Sequence, residues 1–171
     1  MRLVTLLAPL AFAASVLADG QAIAGALAKT DTATAKLGAA VSKWRGDLLG
    51  ALPIVAESTG LLTTVKKGTK TAENSEPLDF DGTLAVAHAT QKLTGTVNST
   101  LTALINAKPK FDKLRMSPLI FITLELQKKA TNDMSDAIIA KVPEQLQALA
   151  RDIVAPIAAS FEVALDVYHL F

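Results

Sequence analysis

The sequence predicts an all-α protein, an antiparallel bundle of about five helices whose interior can hold a central apolar cavity. Three observations carry this. Along most of the chain apolar residues recur at alternating intervals of three and four, which gathers them on one side of a helix of 3.6 residues per turn. No stretch alternates with the period of two that a half-buried strand needs. Proline and glycine mark most of the breaks between periodic stretches, where they start and stop helices.

Residues 1–18 read as a secretory leader and not as part of the bundle. Arg2 supplies the positive start, an apolar segment follows, and Val16 and Ala18 are small residues at a cleavage site. The apolar part is too short to span a bilayer, and no later stretch reads as a run of ~20 apolar residues. The expected mature chain, 19–171, has 153 residues, enough for one domain with its own core. Without Arg2 it holds 16 basic and 16 acidic residues and shows no basic stripe, so nucleic acid finds no electrostatic footprint. It contains no cysteine, which excludes disulfides, thiol nucleophiles and zinc–cysteine sites.

The first helix is predicted over residues 21–48, with Ile23, Leu27, Thr30, Thr34, Leu37, Val41, Trp44 and Leu48 on one face. Gly50 and Pro53 mark a break. A second stripe reads Val55, Ser58, Leu62 and Val65, ends near Gly68, and gives way to a polar loop over residues 70–77. A third helix is expected from Asp81 to about Ala107, its stripe Val86, Thr90, Leu93, Val97, Leu101 and Leu104, followed by a connector over 108–116 that contains Pro109. Ser117-Pro118 is a helix start, a capping hydroxyl before proline. The fourth helix is expected to turn Leu119, Ile122, Thr123, Leu126, Ala130 and Ala137 inward. Ile120, Phe121 and Leu124 lie on its other side, either buried there or forming a greasy patch. Pro143 opens the fifth, whose stripe is Leu146, Leu149, Ile153, Ile157, Ser160, Ala164 and Val167, with Pro156 expected to kink it.

One catalytic motif asks for a hearing. Asp79-Phe80-Asp81-Gly82-Thr83 resembles the first motif of haloacid-dehalogenase-type phosphotransferases, whose aspartates work at the end of a buried parallel strand beside Mg²⁺. Polar, proline-terminated residues precede it here, and they cannot form that strand. The motif reads better as a loop with Asp81 at a helix start. His88 and His169 are the only histidines and lack metal-ligand spacing, so neither a metal nor a cofactor is expected. Asn98-Ser99-Thr100 is an N-glycosylation acceptor, although a mid-helix position disfavours its use.

A more distributed signal lies in the hydroxyls. Thr30, Thr34, Ser58, Thr90, Thr123 and Ser160 all fall on inward positions, spread over five helices. Each can bond back to a carbonyl one turn earlier. Alternatively, a ligand head group or trapped water can satisfy them. The seams are rich in alanine and threonine, while the mature chain has one tryptophan, one tyrosine and five phenylalanines. Helices with small seam residues either close in to normal density or are held apart around a cavity.

Lys110-Phe111-Asp112-Lys113-Leu114, Lys141-Val142-Pro143 and the segment from Ala164 to Tyr168, in this order on a cysteine-free five-helix layout, resemble a family. The mature chain is similar to fungal hydrophobic-surface-binding proteins, the group that includes cell-wall galactomannoproteins. The resemblance implies a secreted, non-enzymatic bundle of a group found at cell walls, one that takes a fatty acid or sterol into its interior. An acyl chain would lie along Leu37, Val41, Leu62, Val97, Ile122, Leu126, Ile153 and Ile157. Inward hydroxyls, Thr34, Ser58 and Thr123 among them, would hold the head group. The rival expectation is a surface-active protein that coats apolar solids through residues 119–124 and brings a secreted hydrolase to them. No stalk or anchor tail is expected, nor a second copy of the domain.

Overall fold

The computed structural model describes residues 8–169, with side chains from residue 19 onward. The leader reading of residues 1–18 therefore lies outside the described side chains. Five helices follow one another: α1 (Ala8–Lys43), α2 (Leu48–Glu73), α3 (Phe80–Lys113), α4 (Ser117–Ile139) and α5 (Gln147–Tyr168), with one 3-10 turn at Glu144–Leu146 before α5. Successive helices run up and down, yet in space they close a ring. α1 packs on α2 and α3, α2 on α4, α4 on α5, and α5 on α3. Several ring neighbours are therefore parallel. The Lys110 ammonium, near the end of α3, donates to the Trp44 carbonyl just past the end of α1 at 2.7 Å. A ring of five rods has an axis that no helix occupies.

The first and third helices bury the faces their periodicity predicts. Ile23, Leu27, Thr30, Thr34, Leu37, Val41 and Trp44 are buried, as are Val86, Thr90, Leu93, Val97, Leu101 and Leu104. The helix boundaries differ. Leu48 does not end the first helix; it begins α2. The chain turns at Gly46, which has φ +97°, and Asp47 caps α2 by accepting from the Gly50 N–H at 2.7 Å. Gly50 and Pro53 thus lie within α2, because the aspartate cap starts the helix upstream of the proline. α2 also runs on through Gly68 to Glu73, so half of the expected loop is helical. α4 crosses α2 at Gly68, where a Cβ would stand 2.6 Å from Cε at the flexible end of Met134.

α3 likewise continues through Pro109 to Lys113, shrinking the expected connector to residues 114–116. Packing outweighs the backbone bond that proline forfeits. Ala107 and Phe111 extend the buried stripe, and Phe111 lies between Trp44 (ring centroids 4.4 Å apart) and Tyr168 (6.4 Å). Tyr168 donates its hydroxyl to the Leu104 carbonyl at 2.6 Å, tying α5 to α3. At the other end of the bundle Lys141 reaches the carbonyls of Glu73 and Ser75, a cation at the negative pole of α2.

The face of α4 differs from the one its sequence predicts, and those of α5 and α2 agree only in part. α4 buries Ile120, Leu124, Gln127, Ala130, Met134 and Ile138, and leaves Leu119, Ile122 and Leu126 exposed. Its first turns are apolar all round, so two stripes competed. The buried one contains Gln127, a polar residue that disguised it. α5 buries Ile157, Phe161, Ala164, Leu165 and Tyr168, leaving Leu149 and Val167 exposed. On α2, Val55 faces out and Ala51, Ile54 and Leu61 face in. α2 is also long and apolar enough, by length and composition, to cross a bilayer, which the sequence reading overlooked.

Candidate functional site

The axis of the ring holds a row of four apolar voids. The first, about 180 Å³, lies among the starts of α3 and α5 and the end of α4; Phe80, Leu84, Thr90, Ile138, Leu149 and Ile153 line it. The fourth, about 190 Å³, opens between α2 and α4 toward the other end, with Leu37, Val55, Ser58, Leu119, Leu126 and Gln127 in its wall. Two narrow voids of about 30 and 20 Å³ lie between them, each walled by all five helices. Neighbours share walls. The first and second voids have Thr90, Ile138 and Val154 in common; the second and third, Thr30, Val65, Leu93 and Thr131; the third and fourth, Leu37, Leu104 and Gln127. Along α3 the lining runs from Thr83 to Leu104, about 30 Å at ~1.5 Å per residue. A bilayer's hydrocarbon core is also ~30 Å thick and is filled by two acyl chains end to end.

Most of the residues singled out from sequence come to this row. Thr30, Thr34, Leu37, Thr90, Val97 and Ile157 are buried in its walls, and Ser58, Leu62, Thr123 and Ile153 line the end voids. Four do not fit as expected. Leu126 is 50% exposed, at the rim of the fourth void and not inside it. Ile122 is 53% exposed and Ser160 bonds the Pro156 carbonyl at 2.8 Å; neither lines a void. The α4 stripe turns the other way, whereas on α5 Ile153 and Ile157 face the row and Ser160 does not. Val41 is core, packed beyond the end of the row.

The hydroxyls divide into two kinds. Thr30, Thr34, Thr90 and Thr123 each donate to the carbonyl four residues earlier, at 2.8–3.0 Å, so they are satisfied within their own helices. Thr100 instead donates across to the Thr34 carbonyl at 3.1 Å and fastens α3 to α1. Ser58 makes no back-bond. Its Oγ accepts the Gln127 amide Nε2 at 2.8 Å, between α2 and α4, where the third and fourth voids meet. Both side chains are buried, and the pair offers the fourth void a hydroxyl proton. Gln127 escaped the sequence reading. The signal that could have found it is its place in the series Ile120, Leu124, Gln127, Ala130, Met134.

The motif residues do structural work. Asp79, not Asp81, caps α3, accepting from the Gly82 N–H at 2.7 Å while the Thr83 hydroxyl donates to its carbonyl at 2.7 Å. Asp112 accepts from Lys108 and Ser117, and these bonds hold its carboxyl below the usual carboxylate range. Burial pushes the Tyr168 phenol well above its ordinary value, and the Asp112 charge adds to this. Among the described residues no group of three metal-ligating side chains comes together. His88 is exposed, and His169 meets the edge of Phe121 at 5.8 Å.

The five helices thus form a ring around an apolar axis that opens between α2 and α4. Residues 20–140 match the family described as HsbA, hydrophobic surface binding protein A, and the chain belongs to that family. It is 30% identical over 144 residues to cell wall mannoprotein 1 of Aspergillus fumigatus, covering 84% of this chain and 50% of that protein. It is 28% identical over 115 residues to cell wall mannoprotein 1 of Aspergillus flavus, covering 67% and 42% respectively. The chain thus spans about half the length of these relatives or less. Solved structures share the fold. Afmp4p in complex with palmitic acid superposes with a TM-score of 0.84 at 22% identity, over 88% of this chain and 99% of that one. Ligand binding domain 2 of the Penicillium marneffei MP1 protein, complexed with multiple arachidonic acids, gives 0.81 at 20% identity, over 88% and 96%.

Proposed function

We propose that this protein is an exported, non-catalytic binder of long-chain fatty acids. The acyl chain lies in the axial voids, and its head group meets Ser58 and Gln127. The observation that carries this is the row of voids sharing walls from one end of the ring to the other. Each methylene moved from water into such a lining gains ~0.8 kcal/mol. The structural relatives bound to palmitic and arachidonic acids support the same ligand class. The narrow waist favours a flexible chain over the fused rings of a sterol, because two voids of about 30 and 20 Å³ admit little more than one methylene at a time. That Asp79 is occupied as a helix cap supports a role without catalysis.

Export follows from the leader, with cleavage after Ala18 and a mature start at Asp19. The names of the Aspergillus relatives favour a place at the cell wall. Asn98 is exposed on α3, so its acceptor sequence is accessible to glycosylation on the way out. The reading is tested by mass spectrometry of an organic extract of the purified protein, or by titration with a fluorescent fatty acid. A stoichiometric fatty acid, or saturable binding, is expected; neither would be found if the voids are mere packing defects. A second reading, adsorption to apolar solids with a hydrolase brought along, is favoured by the exposed row Leu119, Ile122 and Leu126. Adsorption would need no ligand in the extract.

A further inference from the structure

The fold sorts charge that is evenly mixed in the sequence. Lys43 at the end of α1, Arg45 just after it, Lys108, Lys110 and Lys113 on the last turns of α3, and Arg115 before α4 all come to one end of the bundle. Three acidic residues share that end. Asp47 caps α2, Asp112 is bonded to Lys108 and Ser117, and Asp166 is exposed on α5. The opposite end is acidic, with Asp19, Glu73, Glu76, Asp79, Asp81, Asp136, Glu144 and Asp152 against Lys70, Lys141 and Arg151. A chain with a formal net charge of +1 is therefore a dipole along the bundle axis.

The basic end is also tipped with leucine. Leu48, Leu49 and Leu52 are 64%, 77% and 62% exposed on the opening turns of α2. Residues 48–56 contain no charge, and most of the apolar length of α2 is not buried. Single exposed leucines are ordinary, but three together at a corner ringed by cations have the composition of an interfacial anchor. The same face of α2 continues to Val55, which with Leu119 of α4 lines the mouth of the fourth void.

We propose that this end of the molecule docks on an anionic lipid bilayer. Leu48, Leu49 and Leu52 enter the acyl region, and the basic ring meets the head groups. Fatty acid then passes between bilayer and axis through the groove between α2 and α4. The passage rests on the fatty-acid reading; the docking does not. A bilayer is favoured over a bare apolar solid because a solid gives the cations nothing to bind. The acidic far end is repelled from anionic lipid, which orients the leucines downward.

The test uses the purified protein and fatty-acid-free vesicles, either phosphatidylcholine alone or equal parts phosphatidylcholine and phosphatidylserine. Sedimentation should show binding to the anionic vesicles at least tenfold tighter, roughly what two basic residues near such a surface supply. The triple variant Leu48→Ser, Leu49→Ser, Leu52→Ser should lose at least tenfold, and so should Lys43→Glu with Lys113→Glu. Lys66→Glu with Lys70→Glu changes net charge equally but elsewhere, and should bind as the parent does. All these positions are exposed, so the variants should keep the parental helical spectrum. Equal binding to both vesicles, no binding to either, or equal damage from both charge-reversed pairs would overturn the docking. Stopped-flow transfer of a fluorescent fatty acid from anionic vesicles then reads the passage. The leucine variant should be slower while its affinity for the same probe in buffer is unchanged; transfer at the parental rate would overturn the passage. Vesicle binding by a protein that takes up no probe in buffer would sustain the docking and remove the fatty-acid reading.

Discussion

Removing the Ser58–Gln127 pair separates its structural role from its binding role. The Gln127 amide donates to Ser58 Oγ at 2.8 Å, and its nearest other acceptor, the Ser58 carbonyl, is 3.4 Å away. Ser58→Ala therefore leaves a buried amide poorly satisfied, at a cost of ~1–3 kcal/mol. Gln127→Met keeps the volume and removes the amide, leaving only a serine hydroxyl that can turn back to its own helix, so ~1 kcal/mol or less is expected. With both changes no polar group is orphaned, and the double variant should be close to parental stability. The cycle should thus give a coupling of ~1–4 kcal/mol, measured by urea unfolding followed by circular dichroism. Binding should behave in the opposite way. A hydrogen bond to a carboxylate contributes ~1.5–3 kcal/mol, so the stable double variant should bind a fluorescent fatty acid roughly 10- to 100-fold more weakly. A folded double variant within twofold of parental affinity would refute Ser58 and Gln127 as the head-group contact. Additive stability losses would refute the pairing itself.

Three further outcomes are expected. Trp44→Ala removes a buried ring packed on Phe111 and should cost ~3–5 kcal/mol, lowering the urea midpoint by ~1.5–2.5 M for a slope near 2 kcal/mol per M; an unchanged midpoint would refute its place in the core. Because burial raises the Tyr168 phenol above its unfolded value of ~10, the unfolded state releases its proton first as pH rises. Stability from this group is complete below pH ~10 and falls above it by up to ~1.4 kcal/mol per pH unit; the difference between the protein and Tyr168→Phe, measured by alkaline denaturation, should shrink accordingly. Asp79→Ala should cost ~0.5–2 kcal/mol through loss of the α3 cap, whereas Asp79→Asn should cost little. Neither the parent nor these variants should release phosphate from a phosphomonoester in Mg²⁺; release abolished by Asp79→Asn would restore the catalytic reading of the motif.

The sequence by itself determined that the chain is helical and which faces of α1 and α3 are inward. Those two helices carry long stripes with polar residues opposite, so only one rotation buries the apolar side. It also placed the threonines of α1 and α3 on the axis. It could not orient α4, and it oriented α5 only in part: Ile157 and Ala164 face inward as their spacing predicts, but Phe161 and Tyr168 do so too and Val167 does not. Ile120, Leu124 and Met134 compete with Leu119, Ile122 and Leu126 at nearly equal hydrophobicity, and the winner buries a glutamine. Only the tertiary structure decided between them, because Gln127 becomes tolerable in the core once Ser58 of another helix stands 2.8 Å away. Helix ends followed the same logic, with Phe111 and its aromatic neighbours carrying α3 through Pro109. The cavity and the polarity of charge depended on the ring itself. Small seam residues are compatible with either a closed core or an open axis, and five helices joined in a circle leave the axis free. Residues 43–45 and 108–115 are far apart in the chain, and become one basic surface because α1 and α3 lie parallel with their ends together.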